Sequence, residues 1–110
     1  MNLPNRQRAY ILRAKLTAYL LSETHAVGKS KAKFFRALGF EEITIDLLEQ
    51  RLVRIAQTEP ITETISSQHG TKYIIEGDLQ AITGPSRRIR TVWIVELGED
   101  RPRFVTAYPV

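Results

Sequence analysis

The segment from His25 to Lys33 concentrates side chains that could do chemistry. His25 is one of two histidines in the 110-residue chain, and Lys29, Lys31 and Lys33 follow it at alternate positions. Histidine titrates near neutral pH and can transfer protons, whereas lysines attract phosphate groups. The segment therefore predicts a site that combines acid–base chemistry with anion binding.

Gly28, Lys29 and Ser30 are also the residue types that end the phosphate-binding loop of nucleoside triphosphatases. That loop needs a glycine five residues before Gly28 and a buried strand leading into it. Glu23 occupies that position and the preceding segment has helical periodicity, so this class is excluded. We expect Ser30 to be the N-cap of a helix whose first amides, with the lysines, bind an anion.

Simpler interpretations stay open for the same residues. His25 lies in a polar loop, where a histidine without a role is the commoner case, and the lysine run is also typical of a solvated helix face. His69 beside Gly70 fits a hairpin turn. The chain has no cysteine, no histidine pair with the ligand spacing of a helix and no Gly-x-Ser-x-Gly motif. We therefore expect no metal, no cofactor and no acyl-transfer chemistry.

Charge is unevenly distributed along this basic chain, whose net charge is +4 and whose isoelectric point is near 9.7. Residues 6–36 carry eight lysines and arginines against Glu23 alone, whereas residues 41–63 carry six acidic residues against two arginines. The basic segment suits a nucleic-acid partner. The absence of cysteine and of any long apolar run favours a cytoplasmic protein without a signal peptide or membrane span.

Hydrophobic periodicity predicts three helices, at about residues 12–22, 30–38 and 46–58. The first helix is predicted from an apolar face formed by Leu12, Leu16, Tyr19 and Leu20. The second has a predicted buried side, Phe34, Phe35 and Leu38, followed by a C′ glycine, Gly39. The third is predicted to start with a capping box of Asp46 and Glu49.

The second half alternates like β-structure, with strands predicted at about 61–66, 71–82, 88–97 and 103–108 and a bulge or bend at Gly77–Asp78. Helices followed by closely connected strands indicate one α+β domain over residues 1–110. Its three N-terminal helices would pack on a C-terminal antiparallel meander of about four strands.

The last two strands place polar groups beside large apolar ones. In the third strand, alternation predicts that one face carries Arg90, Val92 and Ile94 and the other face Thr91, Trp93 and Val95. In the fourth strand, one face would carry Arg103, Val105 and Ala107 and the other Phe104, Thr106 and Tyr108. An amphipathic sheet with Trp93 in the core explains most of this pattern. The functional interpretation is a sheet face around a scissile phosphate, because RNA cleavage without a metal needs a base, an acid and cations.

Seven motifs spread over most of the chain resemble a family of small bacterial domains of unknown function. They are KLTxYLL at 15–21, HxVGxSKAxFF at 25–35, LGF at 38–40, GTKY at 70–73, EG at 76–77, RTVWI at 90–94 and PRxVTAYP at 102–109. The early motifs in turn resemble toxin ribonucleases of the barnase, EndoU, colicin and RelE-like fold. Those enzymes cleave RNA without a metal and are usually paired with an inhibitor protein.

The resemblance implies a toxin-type endoribonuclease that acts on RNA and has a cognate antitoxin or inhibitor as partner. His25, Lys31, Arg90 and Thr106 would be catalytic, and Lys29, Lys33, Tyr73 and Arg103 would bind substrate. Two alternatives remain. One is a non-catalytic RNA- or protein-binding module, part of a toxin–antitoxin-like pair. The other is an assembly domain that forms a homodimer through the apolar residues on both sides of the last two strands.

Overall fold

The computed structural model describes residues 1–25 and 29–110. Its α-helices are α1 (Arg13–Lys15), α2 (Lys29–Ala37) and α3 (Ile45–Thr58). The short α1 continues directly into a π turn (Leu16–Leu20). Two 3-10 turns flank them, at Arg6–Arg8 and Glu42–Thr44, and the four strands follow as β1 (Ile61–Ser67), β2 (Gly70–Leu79), β3 (Arg87–Glu96) and β4 (Arg103–Pro109).

The four strands form an antiparallel sheet in sequence order, β1-β2-β3-β4. The β2–β3 pair is the longest, with ten residues in continuous register from Gly70↔Glu96 to Leu79↔Arg87. The helices lie on one face of this meander, where Gly77 faces Ile55 of α3 so closely that an added Cβ would lie 2.9 Å from the Ile55 Cγ2. The predicted α+β class is confirmed.

The core lies between that face and the helices and is anchored by Trp93. Its indole is fully buried, contacts the Phe104 ring edge-on at 5.3 Å between centroids, and donates from Nε1 to the Thr91 hydroxyl at 2.8 Å. Thr91, also fully buried, donates in turn to the Ile75 carbonyl at 2.7 Å. The polar side-chain atoms of Trp93 and Thr91 therefore both have hydrogen-bond partners inside the core, so their burial leaves no polar group unsatisfied.

The predicted first helix differs most from the structure. Within the predicted range 12–22, only α1 is α-helical. The helix then widens into the π turn, where the Leu21 amide donates to the Leu16 carbonyl five residues earlier, at 2.8 Å. Leu16 and Leu20 are fully buried as expected, but Leu12 is half exposed. The predicted apolar face was wrong at Leu12 because Leu12 precedes the helix as its N-cap residue, with extended backbone, and so does not share the helical spacing of Leu16 and Leu20.

Two predicted helix starts were also wrong. Ser30 is not an N-cap, since Lys29 already belongs to α2 and its amide donates to the His25 carbonyl at 3.0 Å. Asp46 lies in the first turn of α3, and the reciprocal capping box belongs to Glu41 and Thr44 one turn earlier. In both places the chain enters its helix before the residue that the capping rule favoured.

The strand irregularities lie elsewhere than predicted. Gly77 and Asp78 continue β2 in unbroken register, and β2 ends at Leu79 rather than at residue 82. A bulge instead occurs in β4, where Phe104 pairs with Trp93 but Thr106 pairs with Val92, which leaves Val105 as the extra residue. This bulge moves Phe104 to the core face, against the alternation that grouped it with Thr106.

The far face of β3 is covered within one chain. Val92 is 8% exposed and Ile94 is 7% exposed, although both alternate with Trp93 along β3 and so point away from the core side of the sheet. The apolar residues that suggested a dimer at this face thus leave little uncovered surface there. A homodimer stays a prediction without that support.

The end of α2 depends on Gly39, as predicted. Its amide donates to the Arg36 carbonyl at 2.9 Å and the next amide, of Phe40, reaches Phe35 at 3.2 Å, with Gly39 at a φ of 97°. These bonds make a Schellman motif, which uses a left-handed residue to satisfy the last helical carbonyls. A Cβ at this position would lie 2.9 Å from the Ile82 Cβ.

We expect Gly39→Ala to lower the free energy of unfolding by about 2 kcal/mol, measured by urea denaturation. Gly84→Ala is the matched control, because Gly84 has a φ of 92° but no atom within 4 Å of an added Cβ. Its cost should be about 1 kcal/mol, from backbone strain alone. Equal losses in the two variants would show that the contact with Ile82 does not matter.

Candidate functional site

Tyr19 lies at the centre of a cluster of polar and cationic side chains. Its hydroxyl shares a hydrogen bond with the Thr106 hydroxyl at 3.0 Å, and the His25 ring meets its ring edge-on at 5.0 Å between centroids. Two ammonium nitrogens lie near the same ring, that of Lys15 at 4.9 Å and that of Lys31 at 5.6 Å from the centroid. We call these five residues the Tyr19 cluster.

The π turn places Tyr19 at the surface of the core. Leu16 and Leu20, at either end of the turn, are fully buried, whereas Tyr19 is half buried and packs against the core with its hydroxyl directed to β4. Lys15 lies four residues before Tyr19, the spacing at which side chains on a helix meet. Single π turns of this kind occur often at functional sites.

Arg36 fixes α2 against the end of this turn. Its Nη2 and Nε donate to the Leu21 carbonyl at 2.7 and 3.0 Å, and the same guanidinium forms ion pairs with Glu23 and Glu42. A cation at the last carbonyls of a helical segment is favourable because those carbonyls have no partner within the helix. The contact holds α2, and with it Lys31, beside Tyr19.

The pKa of the Tyr19 hydroxyl is lowered from its ordinary value. Partial burial raises this pKa, but hydrogen bonds with Thr106 and Lys31 and the positive charges of Lys31 and Lys15 outweigh it. A phenol whose pKa is lowered is ionised in a larger fraction of molecules at a given pH, and the ionised form is the one that can accept a proton. The cluster thus combines a phenol of lowered pKa, a histidine and two lysines.

Three of the four predicted catalytic residues, His25, Lys31 and Thr106, meet at Tyr19. The predicted substrate-binding lysines Lys29 and Lys33 lie exposed on α2, the helix that carries Lys31. Gly28, the first residue of the expected anion site, lies outside the described residues. The part of that site that the structure describes is therefore the lysine-bearing helix itself.

Arg90 takes part in a different set of contacts. Its Nε and Nη2 donate to the Glu76 carboxylate at 3.0 and 2.8 Å across the β2–β3 pair, and its guanidinium lies 6.0 Å from the Tyr108 ring centroid. The pKa of Arg90 is raised, first by the hydrogen bond with Glu76 and then by that with Tyr108. Among the contacts of the described residues, Arg90 has none with Tyr19.

Tyr73 and Arg103 lie away from the cluster. Tyr73 pairs with Trp93 on the helix-facing side of the sheet and packs against the core. Arg103 forms an ion pair with Glu96 and pairs in the sheet with Ile94. These two predicted substrate-binding residues therefore have neighbours that explain them by structure alone.

A cavity of about 460 Å³ opens beside the Tyr19 cluster, between α2 and the end of β4. It is lined by Ser30, Lys31, Phe34, Tyr108 and Pro109. Lys31 belongs to both the cavity and the cluster. The two features therefore form one continuous surface.

Sequence reasoning missed Tyr19 and Lys15 as site residues. Tyr19 was assigned to the apolar face of the first helix and Lys15 to a basic segment, and the KLTxYLL motif that contains both gave neither of them a role. The signal that could have found them is their spacing, since a lysine four residues before a tyrosine on a helix favours a cation–π contact. Nothing in the sequence shows that Thr106 reaches the same hydroxyl.

Within residues 1–25 and 29–110, no group of three or more histidine, aspartate and glutamate side chains is placed to hold a metal ion. In the same part of the chain, no helix has both the length and the apolar composition required to cross a membrane.

The fold is shared with a chain of a solved structure, a contact-dependent growth inhibition toxin–immunity protein complex from Klebsiella pneumoniae 342. The two chains superpose with a TM-score of 0.72 over 94% of this chain and 95% of that one, at 15% sequence identity. At this identity the similarity shows a common fold.

Comparison with curated proteins finds no match to the sequence. A family profile described as "Domain of unknown function (DUF6883)" matches residues 2–110, nearly the whole chain. The chain belongs to this family of domains of unknown function, DUF6883.

Proposed function

We propose that this protein is a metal-independent endoribonuclease of the bacterial toxin type, with the Tyr19 cluster as its active site. The observation that carries the proposal is the convergence of His25, Lys15, Lys31 and Thr106 on one tyrosine whose pKa is lowered. RNA cleavage through its own 2′-hydroxyl needs a base, an acid and cations around the phosphate. The cluster contains one side chain or more for each task.

Each residue has a distinct role in this scheme. The Tyr19 phenolate accepts the proton of the 2′-hydroxyl, which then attacks the phosphorus, and His25 gives a proton to the departing 5′-oxygen. Lys31 and Lys15 stabilise the phenolate and the extra negative charge of the transition state. Thr106 holds the Tyr19 hydroxyl in place and acts as a positioning residue.

The shared fold adds support from another direction. The similar chain comes from a complex of a growth-inhibition toxin and its immunity protein, so this fold occurs in a toxin–inhibitor system. A cognate inhibitor protein is accordingly part of the proposal. Lys29 and Lys33, exposed on α2 near the cluster, would contact RNA phosphates or the acidic groups of such a partner.

The alternative is a non-catalytic module that binds RNA or protein through the same basic helix. It is favoured by the exposure of Lys29 and Lys33, because phosphate binding needs only positive charge whereas cleavage also needs the proton-transferring groups. The two functions differ in what substitution of Tyr19 does. Binding would survive it and cleavage would not.

We expect the purified protein to cleave single-stranded RNA in the presence of EDTA and to slow growth when expressed. Tyr19→Phe and His25→Ala should each lower the cleavage rate about 10²–10⁴-fold, because each removes one proton transfer. The measurement is single-turnover cleavage of a labelled oligonucleotide, with folding checked by circular dichroism.

Lys72→Met is the surface control, since Lys72 is an exposed residue of β2 outside the cluster. It should cleave at the wild-type rate. If RNA stays intact at high concentrations of folded wild-type protein, the proposed ribonuclease activity is wrong. If that protein still binds RNA and loses binding when Lys29, Lys31 and Lys33 are replaced by glutamate, the binding module is the correct function.

We further expect Lys15→Met to raise the pKa of Tyr19, because it removes one of the positive charges that lower it. Fewer molecules then carry the phenolate at neutral pH, so cleavage should slow. Tyrosinate absorbance measures the titration, and subtracting the spectrum of the matching Tyr19→Phe protein isolates Tyr19 from the three other tyrosines. An unchanged Tyr19 titration in Lys15→Met would contradict the assigned electrostatics.

A further inference from the structure

The cavity between α2 and β4 has two aromatic walls, Phe34 and Tyr108. The Phe34 ring is held edge-on against the buried Phe35, with 5.0 Å between centroids and 84° between planes. Both walls are half buried, so part of each side chain faces the cavity. A volume of about 460 Å³ lies within the range of about 300–1,000 Å³ that small-ligand pockets occupy.

Guanidinium groups lie against both walls. The Cζ of Arg87 is 5.3 Å from the Phe34 ring centroid, and that of Arg90 is 6.0 Å from the Tyr108 centroid. Arg90 is itself held by Glu76, so the cation beside Tyr108 has a defined position. Aromatic rings accompanied by arginine and lysine are the surfaces on which proteins stack nucleic-acid bases.

Lys31 joins the cavity to the Tyr19 cluster. It lines the cavity, and its ammonium nitrogen lies 5.6 Å from the Tyr19 ring centroid. A phosphate bound at Lys31 would therefore have the proton-transferring groups on one side and the aromatic cavity on the other. The base of the nucleotide attached to that phosphate is the part of RNA within reach of the cavity.

We propose that this cavity binds an unpaired base of single-stranded RNA, beside the phosphate held at Lys31. The proposal rests on the proposed function in that it takes RNA as the ligand of the cluster. Bases in a duplex stack on their neighbours and expose only their edges, so a base must be unpaired to stack on Phe34 or Tyr108. The cavity thus makes the site selective for loops and single strands.

Binding is measured separately from cleavage by using a 2′-O-methyl oligonucleotide, which has no free 2′-hydroxyl and cannot be cut. Fluorescence anisotropy compares three probes of equal length: the single strand, its duplex, and an abasic strand with the same phosphates. We expect the wild-type protein to bind the single strand at least about tenfold more tightly than the abasic strand, since stacking of one base has about this effect. The duplex should bind no better than the abasic strand.

Tyr108→Leu and Phe34→Leu should each weaken binding of the single strand about tenfold and leave binding of the abasic strand unchanged. Tyr10→Leu is the matched control, because Tyr10 is half buried, has the Arg101 guanidinium 4.1 Å from its ring centroid and lies outside this cavity. It should bind all three probes like the wild type. Comparing Tyr10→Leu with Tyr108→Leu shows whether weaker binding requires loss of a tyrosine that lines the cavity.

Equal affinity of the wild-type protein for the single and abasic strands would overturn the proposal, as would wild-type binding by both Tyr108→Leu and Phe34→Leu. Failure of the proposed function gives a different result. In that case RNA with free 2′-hydroxyls stays intact, while the preference for the base-bearing strand over the abasic strand remains.

Discussion

The hydrogen bond between the hydroxyls of Tyr19 and Thr106 links two parts of the chain that are 87 residues apart in sequence. It joins the π turn that ends the first helical segment to the last strand of the sheet. Because Leu16 and Leu20 bury the other side of that turn, Tyr19 is fixed from the core and from the sheet at once. The cations then approach a ring whose position is already determined, which is the preorganisation that acid–base sites require.

That hydrogen bond depends in turn on the bulge in β4. With strict alternation Phe104 and Thr106 would share a face, and either the core would lose an aromatic ring or Thr106 would be buried beneath the helices. The extra residue, Val105, lets Phe104 pack on Trp93 while Thr106 stays on the other face with Val92. One short strand thereby serves both the core and the site, a common use of bulges near functional residues.

The sequence predicted the fold class because hydrophobic periodicity reports local structure directly, and it predicted three cluster residues through a motif resemblance. It assigned Tyr19 to the core because a periodicity argument counts a tyrosine as apolar and cannot show where its hydroxyl points. It gave Arg90 a catalytic role through the same resemblance, but it could not show that Glu76 holds Arg90, because cross-strand neighbours follow only from the register. The π turn and the bulge each change the register by one residue, which composition and spacing do not reveal.

The ionisation of Tyr19 reflects a balance between its burial and its polar and charged neighbours. Burial opposes ionisation of the phenol, and a phosphate bound nearby would oppose it further, because a second negative charge disfavours the phenolate. The hydrogen bond with Thr106 is the largest of the effects that favour ionisation, and Lys31 and Lys15 add positive charge from two separate elements, α2 and α1. Arg36 ties α2 to the Leu21 carbonyl at the end of the π turn, so a contact outside the Tyr19 cluster helps to keep Lys31 beside the Tyr19 ring.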